Sequence, residues 1–115
     1  MLIAVNPKLP MRTKILTKNY YIGLLGFVEV ADYGNYLIIK KDSIEIHFFE
    51  FKDLDPLSNY GQLYLRTDNI ESLYESFLDK NIVILSPLEH KVWGQKEFSV
   101  LDTDNNLLTF GESVS

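Results

Sequence analysis

The chain has 115 residues, no cysteine and a formal charge of −5. That length allows one domain, or two very small halves sharing a core, and the missing cysteine excludes a disulfide framework, a thiolate metal site and a cysteine nucleophile. A hydrophobic share of 46% with 13% aromatics excludes a disordered chain, and the acidic balance argues against phosphate-backbone binding as the main task.

No apolar run reaches the roughly 18–20 residues that span a bilayer. Residues 1–7 carry no basic stretch followed by a cleavage site. A soluble cytoplasmic protein with no nucleic-acid and no membrane partner is expected. In chain order, residues 2–5 read as a strand. Residues 14–25 read as a weak helix ending before Gly26, which suits the left-handed position after a helix. Residues 36–40 and 43–48 form a hairpin across Lys41-Asp42. Ile44, Ile46 and Phe48 share one face of it, and Glu45, His47 and Phe49 share the other. Residues 52–59, with Asp53, Asp55, Pro56 and Ser58, read as a linker.

Residues 60–66 alternate again, setting Tyr60, Gln62, Tyr64 and Arg66 against Gly61, Leu63 and Leu65. Ile70, Leu73, Tyr74, Phe77 and Leu78 form one apolar stripe, which predicts a helix over residues 69–80. Asp68 and Glu71 stand at capping-box spacing at its start, and Lys80 suits the dipole at its end. Residues 98–101 and 107–110 flank the run Asp102-Thr103-Asp104-Asn105-Asn106. A calcium loop would need Gly where Leu107 stands and Glu where Ser113 stands, so the run reads as a hairpin turn. His90, in a polar loop, reads as solvated.

The chain repeats itself. At an offset of 54, Met11-Arg12-Thr13 falls on Leu65-Arg66-Thr67, Tyr20 on Tyr74 and Leu24 on Leu78. At an offset of 62, Asp42 falls on Asp104, Ile46 on Leu108, Phe48 on Phe110 and Glu50 on Glu112. Each half reads β-α-β-β-β. The expected class is α+β: one domain of two modules, about residues 1–52 and 59–115, with helices outside the sheets and a concave face between them. Phe48, Tyr74, Phe77 and Phe110 have the phase of the helix layer. Glu50 and Glu112 read as surface charges at strand ends.

The string Trp93-Gly94-Gln95-Lys96-Glu97-Phe98, followed by Asp102-Thr103-Asp104-Asn105-Asn106 and Phe110, resembles the closing segment of bleomycin resistance proteins, W-G-x-x-E-F-x-x-x-D-P-D-G-N-x-x-x-F. Thr103 replaces the usual Pro, and Asn105 the usual Gly; Asn tolerates the left-handed turn. Residues 4–11 resemble the family's A-V-x-P-x-L-P-V opening. Tyr20-Tyr21 with Leu24-Leu25-Gly26-Phe27 resembles F-Y-x-x-x-L-G-F, and Glu45-Ile46-His47-Phe48-Phe49 resembles E-L-H-F-F. The resemblance covers nearly the whole chain. It implies the vicinal oxygen chelate superfamily, which includes glyoxalase I and extradiol dioxygenases. It also implies a homodimer whose N-terminal strand is exchanged around Pro7.

Enzymes of that superfamily hold a divalent metal. By resemblance the metal positions here are Lys8, His47, Gln62 and Thr109, one imidazole beside an amide, a hydroxyl and an ammonium. A catalytic site needs about three His or carboxylate ligands, so metal chemistry is expected to be lost, with no cofactor. Glu45 and Gln62 would rescue a site only if the register shifted by two. His47 reads as a hydrogen-bonded residue of the sheet face. The cleft residues expected to touch a ligand are Tyr36, His47, Phe49, Tyr60, Gln62, Tyr64, Trp93 and Thr109, since aromatic faces suit planar rings and cations. Trp93 reads equally as a stacking ring or as the anchor of a dimer interface. The leading expectation is a non-catalytic protein that sequesters a bulky planar cation such as bleomycin. The alternatives are a metal-dependent glyoxalase- or dioxygenase-type enzyme, and a dimeric interaction module with no small ligand.

Overall fold

A strand whose alternate residues are apolar must bury one face, and a striped helix is the cheapest cover for it. That pairing occurs twice in the computed structural model, which describes residues 1–114. A break between Asn59 and Tyr60 divides the chain into two compact units. The first contains β1 (Lys8–Met11), α1 (Lys14–Lys18) with a π-helical turn (Asn19–Leu24), β2 (Val28–Asp32), β3 (Tyr36–Lys41) and β4 (Ile44–Glu50). The second contains β5 (Gln62–Arg66), α2 (Ile70–Leu78), β6 (Val83–His90), β7 (Gln95–Leu101) and β8 (Leu107–Ser113). The sheets run β1-β4-β3-β2 and β5-β8-β7-β6, with β1/β4 and β5/β8 parallel and the other pairs antiparallel. The α+β class and the β-α-β-β-β order of each half are as the sequence predicts.

In the first unit Leu9, Met11, Leu37, Ile39, Ile46 and Phe48 are buried together on one sheet face. The π-helical turn lets two consecutive tyrosines turn inward: Leu25 N–H donates to Tyr20 O five residues back at 3.0 Å. Tyr21 then meets Phe48 at 4.8 Å between ring centroids. In the second unit Phe98 stacks on Phe110, with centroids 5.2 Å apart. Phe77 of α2 stands edge-on to both, at 5.5 and 5.4 Å, an arrangement that matches the ring quadrupoles.

Several local expectations are corrected. Residues 2–5 form no strand; pairing begins only where Pro7 O accepts from His47 N–H at 3.0 Å, so the first strand is Lys8–Met11. The first helix is split between an α and a π turn. The second spans Ile70–Leu78 and is capped by Asn69, whose side chain accepts from Ser72 N–H at 3.4 Å, so Asp68 is not the cap and Lys80 lies beyond the end. Glu71 reaches across to Lys96 of β7 instead of closing a capping box. Glu112 is not an idle surface charge: its carboxylate accepts from Ile70 N–H at 2.8 Å and holds the first turn of α2.

The turn between β7 and β8 is tightly built. One Asp102 carboxylate oxygen accepts from Asp104 N–H and Asn106 N–H, and the other from the Asn106 amide, each at 2.9 Å. All three side chains are buried, and Asn105 takes the left-handed conformation with φ 62°. Asp102→Ala should therefore destabilise the protein by about 2–3 kcal/mol in chemical denaturation, as expected for buried hydrogen bonds to a charged acceptor. A loss of only a few tenths would show that the turn does not depend on that carboxylate.

Candidate functional site

Because each sheet buries one face, the alternate residues form a second, open face. In the first unit these are Lys8 and Pro10 of β1, Tyr36 and Ile38 of β3, and Glu45, His47 and Phe49 of β4. The register sets Lys8 and Ile38 beside His47, and Pro10 and Tyr36 beside Phe49. His47 Nε2 lies 2.7 Å from Glu45 Oε2 and its Nδ1 lies 2.8 Å from Tyr36 Oη. A carboxylate only accepts, so Nε2 carries the proton towards Glu45, and in the neutral ring Nδ1 accepts from the phenol. Lys8 Nζ sits 5.4 Å from the centre of the Tyr36 ring.

The second unit has a different arrangement, centred on Glu97. Alternation in β7 puts Gln95, Glu97 and Ser99 opposite Phe98 and Val100. Glu97 is only 8% exposed. Its Oε2 accepts from Tyr64 Oη at 2.6 Å and from the Trp93 indole N–H at 3.0 Å. Trp93 comes from the hairpin between β6 and β7, where Lys91 N–H donates to Gln95 O at 2.7 Å. Gly94 turns the chain with φ 80°, a conformation that favours glycine. Trp93 remains 62% exposed as a residue while its indole nitrogen is tethered. Tyr64 can reach Glu97 because it crosses β8 at Gly111: a Cβ there would lie 2.1 Å from its hydroxyl. Arg66 fixes the rim, donating to Gln95 and Ser113 at 3.2 and 3.3 Å. Burial, then the hydrogen bond to Glu97 and its charge, push the Tyr64 phenol up to about 12 against the opposing effect of Arg66. Tyr64 therefore stays a proton donor at neutral pH.

The structure forms two sets from the predicted site residues, one in each unit. Tyr36, His47 and Phe49 are neighbours in the first. Tyr64 and Trp93 share Glu97 in the second, with Thr109 directly beside Tyr64 in the ladder. Tyr60 is not on the strand: β5 begins at Gln62, and Tyr60 is 84% exposed ahead of it. Gln62 is exposed and pairs with Leu107, not with Thr109. The two repeat offsets are thus out of step by two residues across β5/β8, and Tyr64 holds the place assigned to Gln62. The sequence pattern does not single out Glu97 or Gly111, and it offers Glu45 only as a metal ligand under a shifted register. A carboxylate alternating with Phe98 and Val100, four residues after the sole tryptophan, was the available signal.

The four metal positions do not fit a catalytic divalent ion. Lys8 is a cation lying over Tyr36, and both His47 nitrogens are engaged. Thr109 and Gln62 supply only a hydroxyl and an amide. Among the described residues no three His, Asp or Glu side chains gather as metal ligands require.

Residues 9–115 match the family of glyoxalase-like domains. The chain belongs to that family. It is 24% identical to bleomycin resistance proteins of Geobacillus stearothermophilus and Staphylococcus aureus, covering 94% of this chain and 95% of theirs. A bleomycin-binding protein solved with bleomycin has the same fold, with a TM-score of 0.87, 24% identity and coverage of 97% of this chain and 99% of that one. The bleomycin-binding protein of bleomycin-producing Streptomyces verticillus, solved with copper(II)-bleomycin, matches with a TM-score of 0.83 at 14% identity, covering 100% and 98%. Within the described residues, no helix of this glyoxalase-like protein is long and apolar enough to cross a membrane.

Alkaline titration followed by phenol absorbance should find one of the seven tyrosines ionising at about 12, and Tyr64→Phe should abolish that step. The native value lies above the ordinary phenol value of about 10. The associated stability is therefore complete below about pH 10 and is lost as pH rises through about 12. Gly111→Ala should return the phenol towards its ordinary value, because the added methyl displaces Tyr64 from Glu97. An unchanged titration in Gly111→Ala would contradict the described packing.

Proposed function

We propose that this glyoxalase-like protein is a non-catalytic binding protein that sequesters a bulky, planar, cationic molecule, with bleomycin the leading ligand. The observation that carries this reading is the tethered aromatic pair: an exposed indole and a phenol held by one buried carboxylate. Flat rings fixed at one edge stack on planar ligands at low entropic cost. Full-length similarity to bleomycin resistance proteins, and to folds solved with bleomycin, points the same way. Sequestration needs affinity and no reaction, which agrees with a donor set unsuited to metal catalysis.

In this reading the two units act as modules of one domain, and the ligand lies in aromatic clefts of a cytoplasmic homodimer whose N-terminal segment is exchanged around Pro7. Tyr36, His47, Phe49, Tyr60, Gln62, Tyr64, Trp93 and Thr109 are its proposed contacts. The exposed apolar residues Leu2, Ile3 and Val5 support the exchange, because each is more than 90% accessible in the single chain and gains by being covered.

Titration with bleomycin should quench or shift Trp93 fluorescence saturably, and expression should protect growing cells from the drug. Light scattering at micromolar concentration should give twice the 13.3 kDa chain mass. Failure of both fluorescence and growth protection would remove bleomycin as the ligand, and a single-chain mass would remove the dimer.

A further inference from the structure

Three of the proposed ligand aromatics already carry a cation of the protein. Lys8 lies 5.4 Å from the centre of the Tyr36 ring, Arg66 5.4 Å from that of Tyr64, and Lys91 5.9 Å from that of Trp93. On the second sheet these rings are backed by Glu97. Its carboxylate is buried and takes its two hydrogen bonds from neutral groups, the Tyr64 phenol and the Trp93 indole. Among the described residues no Lys, Arg or His forms an ion pair with it. Arg66 is bonded to Gln95 and Ser113, and Lys91 pairs with Glu89 at 3.5 Å. A negative charge drawn up against an indole N–H and a phenol O–H also enriches the rings in electron density, which strengthens their hold on a cation above the face.

We propose that Glu97 is the charge-selecting residue of the Trp93–Tyr64 platform, favouring planar ligands that carry a positive charge, and that Lys91 is a resident cation which such a ligand displaces. This rests on the binding function proposed above and adds to it a cause for cation preference in one residue that does not itself face the ligand. The site accepts a flat aromatic ring against Trp93, with its charge placed where Lys91 now lies. Neutral rings of the same shape stack there but gain nothing from Glu97. Glu97 acts through Trp93 and Tyr64 and is a specificity determinant, with no reaction attributed to it.

The experiment uses two probes of one shape, N-methylacridinium and acridine, at a pH where acridine is uncharged. Quenching of Trp93, the sole tryptophan, reads binding of both. The wild-type protein should prefer the cation by about tenfold, the scale of one or two cation–π contacts. Glu97→Gln keeps an acceptor oxygen and removes the charge; it should cut the preference to about twofold or less, with acridine affinity little changed. Lys91→Gln should raise N-methylacridinium affinity about two- to threefold and leave acridine alone. That variant gives a second measure if Glu97→Gln does not fold. Equal preference in wild type and Glu97→Gln, no gain in Lys91→Gln, or no quenching by either probe would overturn the proposal. If bleomycin gives no response while the charge preference holds, the drug assignment falls and charge selection stands. If bleomycin binds and the preference is absent, charge selection falls and the drug assignment stands.

Discussion

Each four-stranded sheet has one face that must be dry and one that need not be. The dry faces are decided by bulky side chains: Phe48 under Tyr21 in the first unit, and Phe98 and Phe110 under Phe77 in the second. Because strand side chains alternate strictly, burying those rings leaves no freedom about what faces the other way. A slip of one residue in β7 would turn Gln95, Glu97 and Ser99 to the helix-covered face and Phe98 and Val100 to the opposite one. Core packing therefore fixes the open-face chemistry, including the position of Glu97. The function proposed for the open face depends on a register held by residues that never meet a ligand.

Glu97 shows how such a face is organised. A buried carboxylate is expensive unless its oxygens are hydrogen-bonded. Here the donors are the two aromatic side chains best suited to stacking. The requirement that stabilises the carboxylate thus also immobilises the aromatics. Gly94 and Gly111 are the backbone concessions that permit it, one by turning the hairpin and the other by leaving space for Tyr64. The counterpart in the first unit, Tyr36–His47–Glu45, ties a phenol to an imidazole instead. The two units share a strand order, and their open faces carry different hydrogen-bond chemistry.

Much of this was legible in the sequence. Clean alternation in residues 44–49 and the stripe from Ile70 to Leu78 gave β4 and α2, and the helix-facing phase of Phe48, Phe77 and Phe110 followed from it. The edge strands β2 and β6 were not individually legible, since bulges at Glu29/Ala31, Ile84/Ser86 and Ser86/Glu89 break the period that marks a strand. Residues 2–5 are apolar enough to read as a strand, but they have no ladder partner among the described residues. Of the residues proposed for the site, alternation puts Tyr36 and His47 on one strand face and Tyr64 on another, while Trp93 stands in the loop before β7. Glu97 is not legible in this way, because its role lies in two contacts that bring Tyr64 and Trp93 together from elements far apart in sequence. Tyr60 lies ahead of β5 for a local reason: the alternation in the sequence begins one step before the strand gains its ladder partner at Gln62.

The hydrogen bond from the Trp93 indole to Glu97 ties the proposed binding surface to the fold. The sole tryptophan gives a single indole N–H resonance, which makes one two-dimensional proton–nitrogen spectrum decisive. That peak should be displaced from the free-indole position by the carboxylate, protected from solvent exchange, and shifted again when bleomycin is added. A peak at the free-indole position, exchanging rapidly and unmoved by bleomycin, would show that Glu97 does not hold the indole on a binding surface.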